Sequence, residues 1–165
     1  MRFAYADPPY PGQAAKHYKN HKDYGGEVDH KLLIEKLCGD YPDGWALSTS
    51  SPALQSVLFL CPSDVRIMAW VKPFASFKPN VNPAYAWEPI IVRGGRKRGR
   101  DLLTVRDWIS ANITLKKGLC GVKPPAFNRW IFDIMGAVAD DEFVDMFPGS
   151  GGFDRDWQEF KKGAM

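Results

Sequence analysis

The sequence predicts an α/β protein with a largely parallel sheet and helices on both of its faces. Three observations carry that expectation. Short apolar runs rich in β-branched and aromatic residues recur along the 165 residues. Stretches of helical periodicity separate them, and two of the runs end in turns that neither strand nor helix can continue. At 165 residues one domain, 1–165, with one core is expected. The 45% hydrophobic and 25% charged fractions are those of a globular protein, and the 13 prolines and 15 glycines are dispersed. Disordered, collagen-like and low-complexity classes therefore fall away. No window approaches the roughly 18 apolar residues of a membrane span, and Met1 to Tyr10 lacks the basic start and apolar stretch of a secretory leader. A cytoplasmic protein with no membrane attachment is expected. Cys38, Cys61 and Cys120 are odd in number and far apart, which suggests neither a disulfide framework nor a zinc site.

The elements follow in order. Residues 2–6 (Arg-Phe-Ala-Tyr-Ala) read as a short buried strand that ends at Asp7, because Pro8 and Pro9 cannot continue a ladder. Pro11 to Val28 is polar and reads as a loop carrying His17, Lys19, His21 and Lys22. Asp29 is placed to cap a helix through Leu32, Leu33, Ile34 and Leu37 that ends near Gly39. Trp45 to Thr49 reads as a strand, Ala53 to Leu60 as a helix opened by Ser51-Pro52, and Val65 to Val71 as a strand. Tyr85 to Val92 is a fourth strand candidate, Thr104 to Asn112 a short helix, and Phe127 to Val138 an amphipathic helix. Phe143 to Phe147 is the fifth strand candidate, followed by Pro148-Gly149-Ser150-Gly151-Gly152 and a last helix from about Asp154 to Lys161.

The formal charge of +3 conceals an uneven distribution: residues 1–92 sum to zero, 93–123 to +7 and the remainder to −4. The basic peak is Arg93, Arg96, Lys97, Arg98 and Arg100, interleaved with Gly94, Gly95 and Gly99. Such a segment can follow a phosphate backbone, or it can be a solvated loop that aids solubility.

Ligands of open α/β sheets collect beyond the carboxyl ends of the strands, where both unusual turns fall. In Phe147-Pro148-Gly149-Ser150-Gly151 the glycines let a ligand approach the backbone, and the helix that follows offers free N–H groups. In Asp7-Pro8-Pro9-Tyr10 the two prolines rigidify the chain and leave carbonyls without local N–H partners. One exocyclic NH₂ group can therefore donate to both the Asp7 carboxylate and a backbone carbonyl, while Tyr10 stacks on the ring that carries it. His17 and His21 have helical spacing for a metal pair but no third ligand, so no metal is expected. Cys61-Pro62 reads as core, Trp70 and Trp87 likewise, and Lys72 is either a solvated charge or a substrate contact at a strand end.

Asp-Pro-Pro-Tyr after one strand with Phe-x-Gly-x-Gly after another resembles the S-adenosylmethionine-dependent amino-methyltransferases. The order, catalytic motif first and cofactor motif last, is that of the β-type N6-adenine DNA methyltransferases, whose cofactor-side element is matched by Lys123-Pro124-Pro125-Ala126-Phe127. Trp70-Val71-Lys72-Pro73 and Trp87-Glu88-Pro89-Ile90 extend the similarity over nearly the whole chain. The resemblance implies a Rossmann-like methyltransferase sheet, mostly parallel, circularly permuted and minimal. It would have about five strands, with the strand before Gly149 beside the strand before Asp7. Only fourteen residues follow Gly151, so the last two cofactor-side strands, the first of which normally supplies a ribose-gripping acid, are not expected.

By the same resemblance Asp7, Pro8, Pro9 and Tyr10 are catalytic. Asp7, Lys123, Pro124, Phe147, Pro148, Gly149, Ser150 and Gly151 hold S-adenosylmethionine. Lys72, Arg93, Arg96, Lys97, Arg98 and Arg100 touch nucleic acid, the basic ones within a small target-contact insertion at about 93–122. The implied reaction is N6-methylation of a flipped adenine in DNA, with RNA adenine or cytosine N4 as alternatives. Aspartate rather than asparagine at position 7 speaks against a protein-glutamine substrate. A catalytically silent nucleic-acid-binding module is the alternative of another class. The oligomeric state is left open, a homodimer being one option.

Overall fold

The computed structural model describes residues 1–12, 26–74, 80–114 and 122–163. Six strands form one sheet: β1 (Arg2–Ala6), β2 (Gly44–Ser48), β3 (Arg66–Val71), β4 (Trp87–Gly94), β5 (Trp108–Ser110) and β6 (Glu142–Asp145), in the spatial order β5-β3-β4-β2-β1-β6. β4 runs against both of its neighbours and the other five strands share one direction, so their carboxyl ends lie along a common edge. Arg2 pairs with Glu142 and Tyr5 with Asp145, which brings the first strand beside the last. Among the described residues no strand pairs with the outer side of β6, in keeping with the expected lack of further strands there.

Helices cover both faces. On one, α1 (His30–Asp40) and α2 (Leu54–Leu58) pack Leu33, Ile34, Leu37 and Val57 onto Ala4, Ala6, Trp45, Leu47 and Ile91. Asp29 caps α1 as the sequence suggests, its carboxylate accepting from the N–H groups of Lys31 and Leu32. On the other, α3 (Pro125–Met135) and α4 (Gly152–Lys161) bury an aromatic layer of Phe127, Trp130, Phe132, Phe153 and Trp157 against Phe3, Tyr5 and Phe143. Each such ring contributes roughly 1.5–3 kcal/mol by leaving water. Pro124 caps α3 and Pro125 occupies its first turn, so the helix starts where the fixed proline φ suits it.

One element differs from expectation. The segment read as a short helix over Thr104 to Asn112 is a strand, β5, which adds to the outer edge of β3. Its three residues Trp-Ile-Ser have β-branched and aromatic character. Backbone bonds just beyond each end, Ala69 N–H to Asp107 O and Ala111 N–H to Val71 O, both at 3.0 Å, lock the register. The sheet therefore has six strands rather than five.

Candidate active site

Strand alternation selects the side chains that meet at the carboxyl edge. Phe3 and Tyr5 of β1, Ile90 and Val92 of β4, and Met68 and Trp70 of β3 point toward α3. Two residues further along each strand, or one step past its end, the same face presents Asp7, Glu88 and Lys72. Trp70 and Glu88 are register partners, and Ser48 at the end of β2 meets Tyr5 through a buried 2.8 Å hydroxyl contact. The loop before α3 delivers Lys123 to the same point.

These groups form a connected cluster. Lys123 Nζ lies 3.1 Å from Asp7 Oδ2 and 3.1 Å from Glu88 Oε2. Glu88 Oε1 accepts from Lys72 Nζ at 2.8 Å, and its Oε2 accepts from the Tyr10 hydroxyl at 2.9 Å. Trp70 and Phe127 wall the Lys123 ammonium, 5.3 and 5.9 Å from the ring centroids, and Lys72 lies 5.5 Å from the Trp70 ring. The Trp70 indole is itself held by donation to the Ala111 carbonyl at 2.8 Å. Asp7 thus has one oxygen engaged, while among the described residues its Oδ1 and the Pro8 carbonyl accept no hydrogen bond. The Asp7 side chain is partly exposed, whereas Pro8 is buried.

Protonation follows from burial and charge. Burial raises the Asp7 carboxyl above its usual range, an effect that Lys123 opposes and Glu88 reinforces. Burial pushes Glu88 upward as well, but Lys123 and Lys72 overcome it and hold the acid at about 2. Lys123 stays charged despite desolvation because Asp7 and Glu88 face it. Two carboxyl groups thus face two lysine side chains within the cluster.

The glycine-rich turn lies one strand away. β6 passes from Asp145 into Phe147-Pro148-Gly149-Ser150-Gly151, with Gly149 and Gly151 at φ +45° and +68°. A 2.6 Å bond from Gly151 N–H to the Pro148 carbonyl closes the turn, and the space where a Gly151 side chain would stand is empty. Gly151 caps α4 without a side chain, so the first N–H groups of that helix have no side-chain acceptor. Asp145 Oδ1 accepts the Phe147 N–H at 3.0 Å. Burial raises the Asp145 carboxyl to about 6, Asp154 and Asp7 adding to the rise and the Phe147 N–H opposing it. Since β1 and β6 are neighbours, the two turns leave the sheet about 5 Å apart.

The structure brings Asp7, Pro8, Pro9, Tyr10, Lys72, Lys123 and Pro124 to this edge, with Phe147 to Gly151 beside them. It does not bring the basic segment there. Arg93 lies near the far end of β4 at the opposite edge, about 17 Å along the strand from Glu88, and pairs with Asp64 at 2.8 Å. Arg96 donates twice to Asp141, at 2.7 and 2.8 Å, and once to the Gly136 carbonyl. Arg98 donates to the carbonyls of Asp133 and Leu103. Lys97 and Arg100 are exposed and, among the described residues, have no ion-pair partner.

Lys72 is neither a solvated charge nor an open contact but a buried member of the cluster, its side chain 10% exposed. Trp87, read as core, is 39% exposed, because its side of β3 and β4 lies beyond the reach of α1 and α2. Cys61 is half-buried and its thiol is pushed up to about 11, which suits a packing residue and not a nucleophile. His17 and His21 lie outside the described residues. Sequence reasoning placed Glu88 in a matching motif but gave it no role. The usable signal was an acid inside an otherwise apolar strand, a pattern that requires a buried partner.

Sheet order, the single reversed strand and the paired turns at the carboxyl edge define a methyltransferase-like α/β fold. Solved structures with this fold include the M1.HpyAVI-SAM complex, which aligns with a TM-score of 0.62 at 14% identity over 98% of this chain and 78% of that one. M1.HpyAVI alone aligns at 0.59 with 16% identity over 96% and 76%. At these identities the likeness establishes the fold. No protein-family model matches the chain, and no curated protein sequence matches it.

Proposed function

We propose that this protein transfers a methyl group from S-adenosylmethionine to the exocyclic N6 of adenine in DNA. One observation carries the reading: two acceptors without a partner among the described residues, Asp7 Oδ1 and the Pro8 carbonyl, stand one strand from a glycine turn with room for a ligand. The turn fits the cofactor, since Gly151 leaves open space and the α4 N–H groups lack side-chain acceptors. The M1.HpyAVI-SAM complex shows that a protein of this fold binds it. Phe147 to Gly151, with Asp7, Lys123 and Pro124, would hold S-adenosylmethionine, which supplies an electrophilic methyl group when bound.

The residues of the chain do the rest. The N6 lone pair of adenine is delocalised into the ring and is a poor nucleophile. By accepting both N–H groups, Asp7 Oδ1 and the Pro8 carbonyl draw the amine toward tetrahedral geometry and stabilise the positive charge it gains. The prolines fix these acceptors before substrate arrives. Tyr10, pinned through its hydroxyl, offers a ring for the base, which must leave the duplex to reach this edge. DNA contacts at the basic segment reduce to Lys97 and Arg100, which have no ion-pair partner among the described residues, acting on phosphates remote from the target base. The choice of adenine in DNA over RNA or cytosine rests on the Asp-Pro-Pro-Tyr resemblance.

The test is methyl incorporation from labelled cofactor into an oligonucleotide containing adenine and into one in which purine, lacking the amine, replaces it. Incorporation into the first alone is expected. Equal incorporation into both would sink the proposal, and so would failure of the cofactor to bind in calorimetry.

A further inference from the structure

The geometry points to Glu88 as the positioning residue of this site, acting through Lys123 and Tyr10 to keep Asp7 Oδ1 free for the substrate amine. The inference rests on the amine-methylation reading above and adds a residue to it. Lys123 is shared between two carboxylates at equal 3.1 Å distances. An ammonium with only Asp7 beside it would settle across both Asp7 oxygens and compete with the incoming amine for them. Glu88 prevents this by drawing Lys123 toward β4, where Trp70 and Phe127 leave it little other room.

The same carboxylate holds the Tyr10 hydroxyl, so the ring meant to receive the base and the cation that shapes its acceptor share one anchor. Lys72 completes the arrangement from the neighbouring strand, binding the remaining Glu88 oxygen at 2.8 Å and fixing its orientation. None of these contacts requires Glu88 to touch the substrate.

Glu88→Gln keeps the size and a possible bond to Tyr10 but removes the charge that shares Lys123. For an adenine oligonucleotide the expected result is a kcat at least tenfold below wild type, with cofactor affinity by calorimetry within twofold. The alkaline limb of the kcat profile should move to lower pH. Lys123, faced by Glu88, Asp7 and Tyr5, then has one carboxylate fewer to hold its proton, and Lys72 meets a neutral amide in place of the carboxylate. Glu88→Asp, which keeps the charge but is too short to reach Lys72, Tyr10 and Lys123 together, should retain the wild-type alkaline limb with a raised KM for the oligonucleotide. This second variant serves if the first does not fold. An unchanged kcat and pH profile in Glu88→Gln, or a parallel loss of cofactor affinity and rate, would overturn the role of Glu88 while leaving the methylation reading intact. A wild-type protein that methylates no amine would overturn that reading and the inference with it.

Discussion

Glu88 and Asp141 are both carboxylates set between two cations, at opposite edges of the same sheet. Asp141 receives the Met1 amine at 2.7 Å, two bonds from Arg96 and the Val138 N–H at 2.8 Å, and its side chain is 3% exposed. Its acceptor sites are filled, and burial is outweighed so that its carboxyl lies below the usual range. Glu88 is equally well paired, yet one of its partners, Lys123, is shared with Asp7, whose second oxygen faces the open edge. A saturated hub ties the start of the chain to the turn before β6. A hub that passes its partner on to an unsaturated neighbour prepares a site. Much of the basic segment that dominates the charge pattern therefore belongs to the first kind, and Arg93, Arg96 and Arg98 close the fold rather than reach for a ligand.

Substitution at the two hubs separates these roles most sharply. Glu88→Ala should reduce methyl transfer by more than a hundredfold. Asp141→Ala should leave the rate per folded molecule within twofold and lower the unfolding free energy by about 2 kcal/mol in urea titration, below the roughly 3–5 kcal/mol of a fully buried pair because Arg96 reaches solvent. Equal losses of rate in both variants would erase the distinction. A smaller effect is expected from Lys97→Gln with Arg100→Gln. If both cations contact phosphates, the slope of log affinity for DNA against log salt falls by up to about 2. An unchanged slope returns the segment to a purely solvated role.

The smallest effect concerns Asp145. Its folded carboxyl titrates at about 6 against an ordinary 3.8, so the folded chain keeps a proton that the unfolded chain releases. Stability from this group falls as pH rises through that window and stays lost above it. Asp145→Asn should raise the melting temperature by a few degrees at pH 8 and leave it unchanged at pH 4, a difference that scanning calorimetry resolves. A gain of equal size at both pH values would assign the effect to packing instead of charge.

The elements legible in the sequence were those whose cause is local. The Asp29 cap, the stop imposed by Pro8 and Pro9 and the glycine turn after β6 each depend on a few adjacent residues. β5 was misread because three residues are too few to show a period, and their conformation is set by pairing with β3, some forty residues earlier in the chain. The Asp7 and Gly149 turns were found by residue type, but the cluster around Asp7 was not. Glu88 and Lys123 are 35 residues apart and meet only through the position of β4 in the sheet. The basic segment misled for the same reason: charge is visible in a sequence, whereas the carboxylates that neutralise it, Asp64 and Asp141, are placed by the fold.

The central claim is that Asp7, with one oxygen held and one free, activates an exocyclic amine. Expressing wild type and Asp7→Ala in a host free of nucleic-acid methylation, then digesting DNA and RNA to nucleosides for mass spectrometry, tests it directly. N6-methyladenine is expected in the DNA of cells making the wild-type protein and none above background with Asp7→Ala. Indistinguishable N6-methyladenine levels in the two would contradict it.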